Sequence, residues 1–136
     1  HYPLRRQSQM CIRDRHKEID IQIACNSLLD DLSSQYQFRH FHCPNEGKRS
    51  PQYQIKLRKM GLKKGCPDFI IEYPEGRLIY VELKTPKGKL SESQKLWKVK
   101  STIFKTPHFV IQGNLKECLE HLAKVIVQYA PSRNCK

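Results

Sequence analysis

Several things are missing from this chain. No apolar run approaches the ~20 residues that a membrane-spanning helix requires, and no secretory signal pattern is visible. None of the six cysteines (Cys11, Cys25, Cys43, Cys66, Cys118 and Cys135) belongs to a C-x-x-C pair, which argues against a zinc site. Their spread suits reduced thiols in a cytosol, some of them filling a core. Repeats and low-complexity tracts are absent. Acids are scarce: 13 Asp and Glu stand against 25 Lys and Arg, for a formal net charge of +12. The simplest partner for such a surface is a polyanion, nucleic acid foremost. At 136 residues the chain is expected to form one domain with room for a real core.

Gln9-Met-Cys-Ile-Arg-Asp-Arg15 is similar to the translation of a sequencing-library adapter. Residues 1–15 are therefore expected to be non-native and disordered, residues 16–130 to form the domain, and 131–136 to be a tail. From Lys17 to about Ser34, Ile21, Ala24, Leu28 and Leu32 recur at helical spacing. Gln35 to Cys43 reads as a strand with Phe38 and Phe41 among its packing residues. Pro44 to Pro51 is a loop by its turn residues, and Gln52 to Met60 a short basic helix that Gly61 ends. Ser91-Glu-Ser-Gln94 is a capping-box signature opening a helix to about Phe104. His108 to Gln112 is a strand, Gly113 a turn, and Asn114 caps a last helix to about Gln128. The order α-β-α-β-β-α-β-α predicts an α/β fold, a mixed sheet flanked by helices.

The centre of the chain is the most informative part. Phe69 to Tyr73 and Arg77 to Leu83 both read as strands, and Pro74-Glu-Gly76 suits a three-residue hairpin loop with Gly76 left-handed. If Tyr73 pairs with Arg77, Asp68 falls opposite Glu82, and Lys84 lies further along the same face. The other face collects Phe69, Ile71, Tyr73, Ile79, Val81 and Leu83, an apolar surface that needs a core. Carboxylates opposite each other on a sheet repel, and the usual reason to tolerate that is a cation between them. Oxygen ligands alone suit a hard ion, Mg²⁺ or Mn²⁺. A lysine about 7 Å along the strand adds a fixed positive charge, a combination able to activate water and neutralise a phosphate. Cys66 adjoins these acids, but no neighbouring histidine offers itself as its base, so a nucleophilic role is not expected.

Order and motifs together resemble the VRR-NUC domain, a branch of the PD-(D/E)xK nuclease superfamily. The matching stretches are His42-Cys-Pro-Asn-Glu-Gly-Lys-Arg-Ser50, Met60-Gly-Leu-Lys-Lys-Gly-Cys-Pro-Asp68 and Val81-Glu-Leu-Lys-Thr-Pro-Lys-Gly-Lys-Leu-Ser91, followed by Gln94 and Trp97. They cover roughly Lys17 to Gln112 and look closest to small stand-alone members from phages and bacteria. The resemblance implies a restriction-endonuclease-like core and Mg²⁺- or Mn²⁺-dependent hydrolysis of DNA in a bacterial or phage-infected cytoplasm. It implies metal-binding acids at Asp68 and Glu82, a main-chain ligand at the Leu83 carbonyl, and a catalytic lysine at Lys84. A further acid matches Glu18 on the first helix, with Glu46 as the alternative.

Gln94 resembles a family glutamine that orients the scissile phosphate or a water. Its plainer role is the capping box, and one side chain is not expected to serve both fully. Trp97 reads as core rather than as a base-stacking platform. Lys48, Arg49, Lys56, Arg58, Lys59, Lys63, Lys64, Lys87 and Lys89 flank the motifs as a DNA track that reads no sequence. Selectivity for branched DNA and a homodimer are further implications of the resemblance. The rivals are a non-cutting nucleic-acid-binding module on the same fold and, more distantly, a protein-interaction domain.

Overall fold

In the computed structural model, residues 2–44 and 50–131 are described, with side chains from residue 18 onward. Helix α1 runs Tyr2–Tyr36, beginning before the expected Lys17. It contains no glycine, and its one proline, Pro3, sits in the first turn, where the missing N–H is tolerated. Its far end extends to Tyr36, and Gln37 then turns the chain with a left-handed φ of 44°. That leaves β1 only Arg39–His42, shorter than the expected strand. Helix α2 (Pro51–Lys59) is capped by Ser50, whose side chain accepts from the Tyr53 N–H. Gly61, at φ 110°, follows its end.

Strands β2 (Phe69–Tyr73) and β3 (Arg77–Lys84) form the expected hairpin, with Tyr73 opposite Arg77. The turn differs in one detail. Glu75 as well as Gly76 is left-handed, at φ 67° and 72°, because a tight right-twisted hairpin favours positive φ at its centre. Helix α3 spans Glu92–Ile103, β4 spans His108–Gln112, and α4 spans Leu115–Tyr129. The sheet order is β1-β2-β3-β4, antiparallel except for the β3–β4 pair. The fold is therefore a mixed sheet with helices packed around it, compatible with a restriction-endonuclease-like core.

The six apolar residues assigned to one hairpin face are all buried. They meet Ile21, Cys25 and Leu29 of α1 and Cys118, Leu122, Val125 and Ile126 of α4 in one cluster. The Tyr73 hydroxyl donates to the Ile126 carbonyl at 2.8 Å, which pins α4 to the sheet. Phe38 joins this core, but Phe41 does not and is 51% exposed. Phe41 pairs with Ile70, and alternation along the strands sets both on the opposite face. Among the described residues no helix is long and apolar enough to cross a membrane.

Candidate active site

The hairpin register extends one step past β2 and brings Asp68 to Glu82. The backbone N–H of Leu83 donates to Asp68 Oδ2 at 2.7 Å, fixing that carboxylate against β3. Lys84 Nζ lies 3.7 Å from Glu82 Oε1, and both side chains are nearly sealed from solvent. The depth of Glu82 was not expected from its place off the core face. It is 1% exposed because α3 crosses β3 above it. Gln94 of that helix reaches down, and its Nε2 donates to Glu82 Oε1 at 2.7 Å.

The capping box is nevertheless intact. Gln94 Oε1 accepts the Ser91 N–H at 2.8 Å, while Ser91 Oγ accepts the Gln94 N–H at 3.2 Å. The expectation that one side chain could not serve both roles is thus corrected. The cap uses the amide oxygen, and the acid uses the amide nitrogen. With both partners fixed, the amide has one orientation.

A cleft of about 320 Å³ opens here, lined by Asp68, Lys84 and Gln94 together with Lys64 and Lys89. Ser91 and Ser93, at the start of α3, and Gly65 and Cys66 complete the wall. Gly65 has φ 81°, and a Cβ there would sit 2.3 Å from the Ser93 carbonyl oxygen, so the loop before Asp68 lies directly on the α3 backbone. The cleft combines a carboxylate at the wall, a second acid beneath it and three ammonium groups. That arrangement can hold a phosphate and a small divalent ion together.

Burial, a hydrogen bond that the Cys66 thiol donates to Cys43, and the negative charges of Glu82 and Asp68 push the Cys66 thiol up. It therefore stays protonated, and nothing favours it as a nucleophile.

Lys63 and Lys87 are exposed and do not line the cleft, and Lys56, Arg58 and Lys59 lie along the α2 segment. Glu46, Lys48 and Arg49 lie outside the described residues. Glu18 is half-buried on α1 whereas Asp20 is exposed. One turn on from Glu18, the Gln22 amide meets His42 Nδ1 at 2.9 Å. The same His42 nitrogen lies 2.7 Å from the Asp68 carbonyl. Since that carbonyl only accepts, Nδ1 carries the proton.

Gln22, His42, Cys43 and Gly65 were not singled out from sequence. The Cys43 N–H bonds to the Asp68 carbonyl at 3.3 Å. That neighbourhood follows from the β1–β2 register, for which the short β1 gives no turn signal.

Trp97 packs half-buried against Tyr80, ring centroids 6.0 Å apart, as a structural residue should. Among the described residues no three His, Cys, Asp or Glu side chains form a metal cage. Two carboxylates and a carbonyl still fit Mg²⁺, which usually takes one or two protein carboxylates and keeps several waters.

A model of the VRR-NUC domain matches residues 17–103, a span that includes Glu18, Asp68, Glu82, Lys84 and Gln94. No curated protein and no solved structure matches the chain.

Proposed function

This chain belongs to the VRR-NUC family of nuclease domains, and from that premise we propose that it hydrolyses DNA phosphodiester bonds with Mg²⁺ or Mn²⁺. The observation that carries the reading is the pair Asp68 and Glu82, set face to face with Lys84 beside them in a lysine-lined cleft. Asp68, Glu82 and the Leu83 carbonyl would hold the ion, with Glu18 of α1, or alternatively Glu46, as the further acid. When bound, the ion offsets charge on the phosphate and lowers the pKa of a bound water. The Leu83 N–H donates to Asp68 Oδ2 and holds that carboxylate against β3. Lys84 orients the attacking water and faces the charge that grows on the phosphate. Gln94 acts through Glu82, holding that carboxylate in place, and is a positioning residue. Lys64 and Lys89 contact phosphates on either side without reading sequence. The catalytic domain in this reading is residues 16–130. Selectivity for branched DNA and a homodimeric state belong to the same proposal.

The test uses labelled single-stranded, duplex, flap and four-way-junction DNA with and without Mg²⁺ or Mn²⁺. Asp68→Ala and Lys84→Ala should each lower cleavage by at least about 10²-fold while binding stays close to wild type. Full cleavage by either variant would overturn the mechanism. DNA binding by the wild type with no cleavage in any ion would leave a non-cutting module instead.

A further inference from the structure

The acids share their face of the sheet with an apolar row. Two residues along each strand, about 7 Å, Phe41, Ile70 and Tyr80 lie side by side in register. The Cys43 N–H to Asp68 carbonyl bond carries the β1–β2 register one step further, so this row directly adjoins the row of Asp68 and Glu82. Helix α3 covers only the far end of the row, where Trp97 packs against Tyr80. At the near end Phe41 is 51% exposed, Ile70 is half-buried, and the Arg39–Glu72 ion pair bounds the next row. An aromatic ring thus lies open beside the acids, in a chain of net charge +12.

A phosphodiester seated at Asp68 carries its own nucleobase within reach of that ring. In a duplex the faces of that base are already stacked, so only an unpaired base has a face to offer. Aromatic platforms of this kind bind single strands without regard to sequence. We propose that Phe41, flanked by Ile70, stacks one unpaired base next to the scissile phosphate, so that the substrate is DNA with a single-stranded segment at the cut. This rests on the nuclease reading above, and it names the shape of the substrate from contiguity with the acids.

The experiment measures binding with Ca²⁺ in place of Mg²⁺, using a duplex, the same duplex with a single-stranded arm, and that arm with abasic sites. Phe41→Ala should weaken binding to the base-bearing arm about fivefold or more and leave the duplex and the abasic arm unchanged. Phe41→Trp should restore arm binding, which separates lost stacking from a damaged fold. Equal binding of wild type and Phe41→Ala to the arm would overturn the platform while leaving the nuclease reading intact. Failure of the wild type to bind any of the three DNAs would overturn both.

Discussion

Helices α3 and α4 both open on a capping box, Ser91 with Gln94 and Asn114 with Glu117. In each, the third helical residue accepts the cap residue's backbone N–H, at 2.8 Å in α3 and 3.1 Å in α4. In each, a glycine with positive φ presses on the box: Gly65 against the Ser93 carbonyl, Gly113 against the Glu117 side chain. The difference lies in what remains after the cap is made. A carboxylate only accepts, so Glu117 has nothing to donate, whereas the Gln94 amide still holds an NH₂. That NH₂ meets Glu82. The same local device ends a helix in one place and supports an acid in the other. The selector is position, since α3 lies across the carboxylate face of the sheet and α4 across the apolar one.

The sharpest way to break the comparison is Gln94→Glu, which gives α3 the box of α4. The cap survives, because either residue type completes it, so any loss of melting temperature comes from the contact with the buried Glu82 and should shrink as pH falls. The introduced carboxylate faces Glu82 at the present 2.7 Å contact and removes the donor. Cleavage should fall about 10²-fold. The sign of the pH dependence follows from the pair. Two carboxylates this close share one proton, which raises the pKa of one of them. At low pH the protonated member donates as the amide did. As pH rises through the raised pKa, both become charged and the contact turns repulsive. The activity of the variant relative to wild type should therefore climb as pH falls. A flat ratio would mean that Gln94 serves only the cap.

Much of this was legible beforehand because it depends on local rules. The Tyr73–Arg77 register follows from turn residues and alternation, and it was enough to set Asp68 against Glu82. Both caps were visible as Ser91-x-x-Gln94 and Asn114. What stayed hidden depends on how separate segments meet. Spacing along α3 says that Gln94 can reach Ser91. It does not say what lies beneath the helix, so neither the second contact nor the burial of Glu82 could be read. Phe41 failed for the same reason, since a four-residue edge strand does not declare which face a helix will cover. The contact of Gly65 with Ser93 joins residues on two elements and leaves no mark in either one.

The two glycines give the next effect in size. Gly65→Ala places a Cβ 2.3 Å from a backbone oxygen at φ 81°, and a backbone cannot swing aside. The start of α3 must shift, taking Gln94 with it. We expect a loss of about 2 kcal/mol of stability together with weaker cleavage, read by denaturant titration and initial rates. Gly113→Ala meets first the Cβ of Glu117, at 2.9 Å, with φ 152°. It should lower stability by about 1 kcal/mol and lower cleavage less than Gly65→Ala does, since Gly113 meets the site only through its backbone N–H, which donates to the Lys84 carbonyl at 3.1 Å, among the described residues. Equal losses of cleavage in the two variants would erase the distinction between the helices.

The smallest effect is also the strictest control. Glu117→Gln gives α4 the box of α3, complete with a spare NH₂. The cap keeps its acceptor for the Asn114 N–H, now at 3.1 Å. Glu117 is exposed, so the new donor turns to water and gains nothing. Loss of one negative charge beside the helix N-terminus costs a few tenths of a kcal/mol through the dipole. Stability should thus change by no more than about 0.5 kcal/mol, and cleavage should not change at all. If this variant altered cleavage as Gln94→Glu does, the effect would belong to capping boxes in general rather than to the acid under α3. If it leaves cleavage untouched while Gln94→Glu removes it, the catalytic weight of the amide rests on where the helix lies.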